Sequence, residues 1–346
     1  MSQISKLLLP WFYEHKRLLP WREDTEPYHV WLSEIMLQQT RVEAVKSYYI
    51  RFIKALPMID DLADCPDDDL MKLWEGLGYY NRARNLKKAA QVIMTDYGGE
   101  FPRQIEQIRS LPGIGEYTAG AVASICFGQK TPAIDGNVLR VTARLLADRS
   151  NIDIPATRRV FYDIVCAWYP ERQCGDFTQA LMELGALICI PNGVPKCEKC
   201  PLSSICQAHL TGCTDQLPVR NAKRERKHVH MSVFVMRCQT DYTDYYAIRK
   251  RTQKGLLHGL YEFYNVEETF TIQQAMQHLK QNHIEASEIY KEIKYTHVFT
   301  HVEWHMTAYY VEVRHMDGPL IWAKEQELMG QYALPTAFRV FFDARE

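Results

Sequence analysis

LPGIGEYTAGAVASICFGQKTPAIDGNVLR, residues 111–140, carries the two features that decide the fold. The turn LPGIG precedes a run of small residues, Glu116 to Ile125, that reads as a helix. Gly113 and Gly115 are expected to adopt backbone conformations closed to other residues. A turn of this kind points several backbone N–H groups outward. Together with the positive helix end, they suit a phosphate. The second half, AIDGNVLR, sets Asp135 just before another helix, where the dipole favours the ionised carboxylate. Taken singly, the turn also reads as a plain helix connection and Asp135 as a plain N-cap.

The 346 residues suffice for two domains, and 47% hydrophobic content allows full cores. A net charge of −1 excludes a global basic field, so any affinity for DNA has to come from local patches, turns and helix ends. The N-terminal run MSQISKLLLPWFYEHK is interrupted by Pro10 and lacks a small-residue cleavage pattern, so no signal peptide is expected. No apolar run reaches the roughly 18 residues of a membrane span. Ten cysteines without an export signal point to thiols or metal ligands in a reducing, cytoplasmic setting.

Pro20-Trp21-Arg22 ends a first helix, and PYHVWLSEIML forms a second, with Val30, Trp31, Glu34, Ile35 and Leu37 at helical spacing. Glu34 stands among Trp31, Leu32, Ile35 and Met36. Either it lies on a polar face, or it is buried and raised in pKa, as a general acid requires. Thr40 and Glu43 read as a capping box for a helix starting near Arg41, with Gln38-Gln39-Thr40 as an exposed turn. In LWEGLGYYNRARNLKK, Gly76 and Gly78 make a tight turn presenting Leu77, Tyr79 and Tyr80. The helix after it carries Arg82, Arg84, Lys87 and Lys88. This reads as a wedge for a base stack beside a basic helix, or as core aromatics with a solvated basic face. Glu183 is a second carboxylate on a mostly apolar helix.

Cys189, Cys197, Cys200 and Cys206 fall within 18 residues around a CxxCP core. Such spacing signals metal: an iron–sulfur cluster, or a zinc ion on four thiolates. From Pro218 to His230 five Lys or Arg face one Glu, a basic linker that is either solvated or in contact with a DNA backbone. Beyond it HMSVFVMRC, DYYAIRKR and MTAYYVEVR alternate like strands, whereas TIQQAMQHLKQN and LPTAFRVFFDAR read as helices, so an α+β module is expected. His297, His301 and His305 recur at every fourth residue, but strand-and-turn context argues against a shared metal site.

LPGIG with its Gly/Asp loop resembles the helix-hairpin-helix DNA glycosylases of the endonuclease III superfamily. LPWR followed by PYHVWLSEIMLQQTRV resembles the catalytic segment of the MutY-type adenine glycosylases. KGLLHGLYEFYNV, residues 254–266, resembles a Nudix segment, but the R-E-x-x-E-E run of Nudix hydrolases does not follow, so a reader rather than a hydrolase is expected. The resemblance implies a mainly α helix-hairpin-helix glycosylase domain with an iron–sulfur loop (residues 1–213; loop 189–206). A basic linker (214–228) and an α+β Nudix-like 8-oxoguanine recognition domain (229–346) follow. The family's first cysteine gap is six residues, and here it is seven, with Asn192-Gly193 available to absorb the extra one.

The expected substrate is adenine mispaired with 8-oxoguanine or guanine in duplex DNA, bound by a monomer. By resemblance Glu34 protonates the base and later activates water, and Asp135 stabilises the oxocarbenium ion, with or without a covalent bond. Tyr117 and Asn137 orient them. Arg17, Trp21, Arg22, Leu37 and Glu183 belong to the adenine pocket. Gln39, Thr40, Leu77 and Tyr79 surround the mispair, and Phe299, Thr300 and His301 read 8-oxoguanine. Gly113 and Gly115 hold a DNA phosphate. Cys189, Cys197, Cys200 and Cys206 ligate a [4Fe-4S] cluster. Bifunctional relatives place a Schiff-base lysine two residues after the second glycine; here that residue is Tyr117, so a monofunctional enzyme is expected.

Overall fold

The computed structural model describes residues 2–222, 225–316 and 318–345. They divide into two compact units, Met1–Cys65 with Asn81–Ala222, and Pro66–Tyr80 with Lys223–Glu346. This division differs from the expected boundaries in two ways. The first half of the basic linker belongs to the first unit: Arg144 donates to the carbonyls of Thr214 and Leu217, both at 3.0 Å, and Ile152 N–H donates to Val219 O at 3.0 Å. Lys223 and Arg224 of that stretch lie outside the described residues. The excursion Pro66–Tyr80, expected in the first domain, groups with the second.

The helices in chain order are α1 (Gln3–His15), α2 (Pro27–Leu37), α3 (Val42–Ala55), α4 (Ile59–Asp64), α5 (Asp67–Leu73), α6 (Asn81–Asp96), α7 (Ile105–Ser110), α8 (Glu116–Phe127), α9 (Gly136–Leu146), α10 (Pro155–Trp168), α11 (Cys174–Leu187) and α12 (Gln207–Leu210). All but α5 belong to the first unit. Helix α8 is buried from Thr118 to Ser124 and packs against α2, α7 and α11. Its small residues permit this. A Cβ on Gly120 would sit 2.3 Å from Pro132 O, and one on Gly185 of α11 would sit 2.5 Å from Asn137 Cβ.

Helix α2 is apolar on all sides and buried from Val30 to Met36, as an all-round hydrophobic helix must be. Its last carbonyls would be orphaned. Arg82 Nη1 takes three of them, Ile35 O at 2.7 Å, Met36 O at 3.0 Å and Gln38 O at 2.7 Å. Arg82 therefore serves the fold and is not part of an exposed basic face. The expected capping box is also absent. Arg41 is the N-cap of α3 without a side-chain bond, and the Thr40 hydroxyl donates instead to Gln38 O at 3.4 Å.

The second unit is built on β1 (Lys227–Thr240), β2 (Thr243–Lys250), β3 (Tyr261–Glu262), β4 (Tyr264–Val266), β5 (Ala286–Val298), β6 (Val302–Val313) and β7 (Ile321–Lys324), with α13 (Ile272–Gln281), α14 (Glu325–Gly330) and α15 (Thr336–Asp343). The sheet order is β3-β2-β1-β6-β5, with β4 on β1 and β7 on β2; β1 and β6 run parallel. Alternation along β1 divides the core. Met231, Val233 and Val235 join Phe338, Phe341 and Phe342 of α15, whereas Phe234, Met236 and Cys238 join Ala275 and Leu279 of α13. Pro66–Tyr80 is tied in by polar contacts. Lys72 donates to Tyr332 O at 2.9 Å, Glu75 accepts from Leu334 N–H at 2.9 Å, and Asp68 accepts from Tyr261 at 3.2 Å and pairs with Lys250.

Gly120→Ala should cost about 1–3 kcal/mol by overpacking. Gly115→Ala should be nearly neutral, because Gly115 has φ −97° and open space where a Cβ would go. Urea denaturation of both variants checks the contrast.

Candidate active site

Helix α2 carries Glu34 into the first unit, where it is 6% exposed. It borders a cleft of about 1230 Å³, lined also by Trp21, Arg22, Leu37, Tyr117 and Asp135. The Tyr117 hydroxyl, from the first turn of α8, donates a short hydrogen bond to Glu34 Oε2. Burial pushes the Glu34 carboxyl up to about 7; Asp135 adds to the rise, while the Tyr117 bond and Arg22 oppose it. The raised carboxyl is thereby able to hold a proton near neutral pH, as an acid catalyst requires. Burial, reinforced by Glu34 and Asp135, holds the Tyr117 phenol well above its ordinary value, so it remains a donor.

Asp135 is the N-cap of α9. It accepts from Val138 N–H at 2.7 Å and from Asn137 Nδ2 at 2.6 Å. The expectation of a carboxylate favoured by the helix dipole is only partly met. Burial raises its pKa, and the Val138 and Asn137 donors and Arg140 counter that rise without cancelling it. Asn137 is held in turn by Arg140 Nη2 at 2.9 Å, and Arg140 also donates to Gly185 O at 2.9 Å and Cys189 O at 2.7 Å. Arg140 was not singled out in the sequence, where nothing but its place on an otherwise apolar stretch marks it.

Glu183 is fully buried and takes Arg17 N–H, Arg17 Nε, Arg17 Nη2 and Arg22 Nη2 at 3.0, 2.7, 2.8 and 2.9 Å. Burial acts to raise this carboxyl, and the Arg17 and Arg22 hydrogen bonds overcome it, holding it at about 2. Two carboxylates on the same cleft are thereby driven apart in proton affinity. Glu183 is an anchor for two arginines and not a proton donor. Gln39 and Thr40 lie on the same cleft, with Gln39 exposed at φ 58°.

In the hairpin, Gly113 has φ 77°, and a Cβ there would meet Asn85 Cβ at 2.5 Å, so glycine is required. Gly115 does not need its freedom: it is the extended N-cap of α8. In the second unit the turn after α5 exposes Tyr79 alone; Leu77 and Tyr80 are buried, contrary to expectation. The Tyr79 hydroxyl makes a short hydrogen bond with Thr300 Oγ1. Thr300 and His301 are exposed at the β5–β6 turn, and Phe299 packs edge-on against Trp304 at 4.8 Å. The structure thus brings Tyr79 and Thr300, 221 residues apart, into contact.

The four cysteines converge behind α9. Arg144 Nη1 lies 3.4 Å from Cys189 Sγ, and Cys206 Sγ lies 3.4 Å from Arg144 O. Burial pushes the Cys200 thiol up to about 12, with Cys189, Cys206 and Cys197 adding to the rise. Four thiols around a CxxCP core are a donor set that fits an iron–sulfur cluster, with a tetrahedral zinc ion as the chemical rival. The longer first gap closes where Lys196 N–H reaches Ile188 O at 3.0 Å, with Gly193 at φ 78° in the turn.

The cleft, its carboxylates and the hairpin define a base-excision glycosylase. The model of HhH-GPD superfamily base excision DNA repair proteins matches residues 32–164, and a NUDIX domain model matches residues 232–344. A solved thermostable thymine-DNA glycosylase aligns with a TM-score of 0.55 at 32% identity, covering 60% of this chain and 95% of that one. The adenine DNA glycosylase of Buchnera aphidicola subsp. Baizongia pistaciae is 38% identical over 257 residues, 74% of this chain and 72% of that protein. Its counterpart from Buchnera aphidicola subsp. Acyrthosiphon pisum is 35% identical over 306 residues, 87% and 84%. The chain belongs to the adenine DNA glycosylase family, and is a DNA N-glycosylase of base excision repair. Among the described residues no helix is long and apolar enough to cross a membrane.

The folded state favours neutral Glu34, so its stabilising effect is present below the unfolded pKa near 4.5 and is lost as pH rises through about 7. Glu34→Gln should therefore raise the melting temperature at pH 8 and do so much less at pH 5. Glu183 has the opposite sign: its contribution is present above 4.5 and lost as pH falls toward 2. Glu183→Ala should cost about 3–5 kcal/mol at neutral pH by stranding Arg17 and Arg22, measured by denaturant unfolding.

Proposed function

We propose that this glycosylase excises adenine opposite 8-oxoguanine or guanine in duplex DNA, by hydrolysis and without lyase chemistry. The observation that carries the reading is the Glu34 carboxyl, able to hold a proton near neutral pH on the cleft wall, hydrogen-bonded to Tyr117 and close enough to Asp135 to be raised by it. The adenine has to leave the stack, because its glycosidic bond is out of reach inside the helix. Glu34 then donates its proton to N7 of the base, and the bond breaks toward an oxocarbenium ion. Asp135, fixed by Val138 and Asn137, stabilises that cation electrostatically, and Glu34 accepts a proton from the attacking water.

In this reading Trp21 and Leu37 form the apolar walls of the adenine pocket, and Arg17 and Arg22 are held beside it by Glu183. The Gly113–Gly115 turn grips a backbone phosphate. Gln39, Thr40 and Tyr79 meet the mispair, whereas Leu77, in the same turn as Tyr79, is buried. Phe299, Thr300 and His301 read 8-oxoguanine, Thr300 supplying a hydroxyl that Tyr79 already positions. In this reading the chain acts as a monomer in the cytoplasm, at the nucleoid if it is bacterial. Cys189, Cys197, Cys200 and Cys206 hold a [4Fe-4S] cluster, which supplies a structural brace and fixes Lys196 and Lys199 on a loop toward DNA phosphates. By resemblance Tyr117 stands at the position of the Schiff-base lysine of bifunctional relatives, and a phenol forms no Schiff base.

Single-turnover assays on a duplex with adenine opposite 8-oxoguanine test the reading. Free adenine should appear, with strand breaks only after alkali and no borohydride-trapped adduct. Glu34→Gln should lower the rate by about 10²–10⁴-fold or more with DNA binding retained. The wild-type rate should fall as pH rises through about 7, and Tyr117→Phe should move that limb to higher pH, since the lost bond is one that lowers the Glu34 pKa. Failure to release adenine from this duplex or from adenine opposite guanine would overturn the substrate assignment. A colourless protein with stoichiometric zinc at the cysteines would overturn the cluster.

A further inference from the structure

Strands β1 and β6 pair in parallel with His228 opposite Glu303 and His230 opposite His305. Alternation places all four side chains on one face of the pair, two from each strand. His228 Nδ1 lies 2.9 Å from His305 Nε2, Glu303 Oε1 lies 3.3 Å from His305 Nε2, and His228 Nδ1 lies 4.0 Å from Glu303 Oε1. These separations bracket the roughly 3.3–3.4 Å edge of a tetrahedron whose zinc arms are about 2.0–2.1 Å long. It is the one group of three histidine, cysteine or carboxylate ligands this close among the described residues.

The surroundings support ligation. Thr296 Oγ1, on β5 directly opposite His305, lies 3.3 Å from His305 Nδ1. That contact occupies the far nitrogen and leaves Nε2 to face the group, the arrangement by which an outer partner sets a metal-binding tautomer. The His230 ring stacks on His305 at 4.8 Å and 19°, fixing its plane. His228 is more than half exposed and Glu303 and His305 are partly so, leaving an entry path and a free fourth position for water. Two imidazoles and one carboxylate suit a borderline divalent ion.

We propose that His228, Glu303 and His305 form a divalent-cation site of the zinc class on the second unit, separate from the cysteine loop and from the excision chemistry. The ion would clamp the first residues of β1 to β6, one residue from where Lys227 N–H bonds His301 O. It would thereby brace the Phe299–His301 turn. The rival is a hydrogen-bonded His–His–Glu cluster with no ion.

The test uses the full-length purified protein, titrated with zinc in competition with a chromophoric chelator, with cobalt(II) as a spectroscopic probe. Wild type should bind one equivalent that both His228→Gln and Glu303→Gln weaken at least tenfold, with cobalt d–d bands of a nitrogen/oxygen site and no sulfur charge-transfer band. His228 is on the rim, so its substitution keeps the fold; circular dichroism and iron content serve as controls. Zinc held by the four cysteines would survive both substitutions. Equal zinc binding by wild type and both variants, or none in the micromolar range, overturns the site.

Discussion

The structure of the first unit depends on keeping one carboxyl group out of water. A lone carboxylate among Trp31, Leu32, Ile35 and Met36 is costly, and the protein accommodates it by letting the group hold its proton rather than by pairing it with a cation. The helix that carries it must be apolar on all sides, must begin at Pro27, and must end where Arg82 can take its carbonyls. The small residues of α8 follow from the same need, because Tyr117 reaches Glu34 only if α8 lies close. Glu183 solves the converse problem on α11: two arginines hold its carboxylate ionised down to a pH of about 2. One cleft thus contains a carboxyl that releases a proton near neutrality and another that stays ionised until the pH falls to about 2.

Much of this was legible in the sequence, and the reasons are local. A carboxylate inside an apolar helical run, a glycine turn ahead of small residues, and four cysteines within 18 residues all carry their meaning in neighbouring positions. What escaped depended on partners far along the chain. Thr40 and Glu43 match a capping box, yet the backbone at Gln39 turns left-handed and Arg41 takes the cap. Arg82 reads as one of several surface cations because its acceptors are more than forty residues away. Leu77 looks as exposed as Tyr79 until the turn is folded. His228 and His305 lie 77 residues apart and meet only through strand pairing, whereas the every-fourth-residue spacing in the sequence groups His305 with His297 and His301. Strand pairing sends His297 opposite Trp304, to the other face, and leaves His301 in the turn.

Arg140 and Arg144 join two regions that the sequence reads as separate. Through Asn137, Arg140 holds the Asp135 carboxylate, and through Cys189 O it holds the start of the cysteine loop. Arg144 ties the same loop to Thr214 and Leu217. A buried guanidinium with five fixed donors can do this where a lysine cannot, because its geometry is set before any bond forms. The brace behind α9 is therefore mechanically continuous with the N-cap that presents Asp135. Loosening of the cysteine loop would be felt as misplacement of a carboxylate rather than as loss of a core.

The membership of Pro66–Tyr80 in the second unit has a consequence for the order in which the molecule is made. The contacts of Asp68, Lys72 and Glu75 are with Lys250, Tyr261, Tyr332 and Leu334. On a ribosome adding about 5–20 residues per second, these partners emerge roughly 10–50 s after the segment itself. During that interval the carbonyls at the end of α2 can be taken up, since Arg82 follows at once. The Tyr79–Thr300 hydrogen bond likewise forms only after residue 300 has been synthesised, 221 residues beyond the turn that it meets.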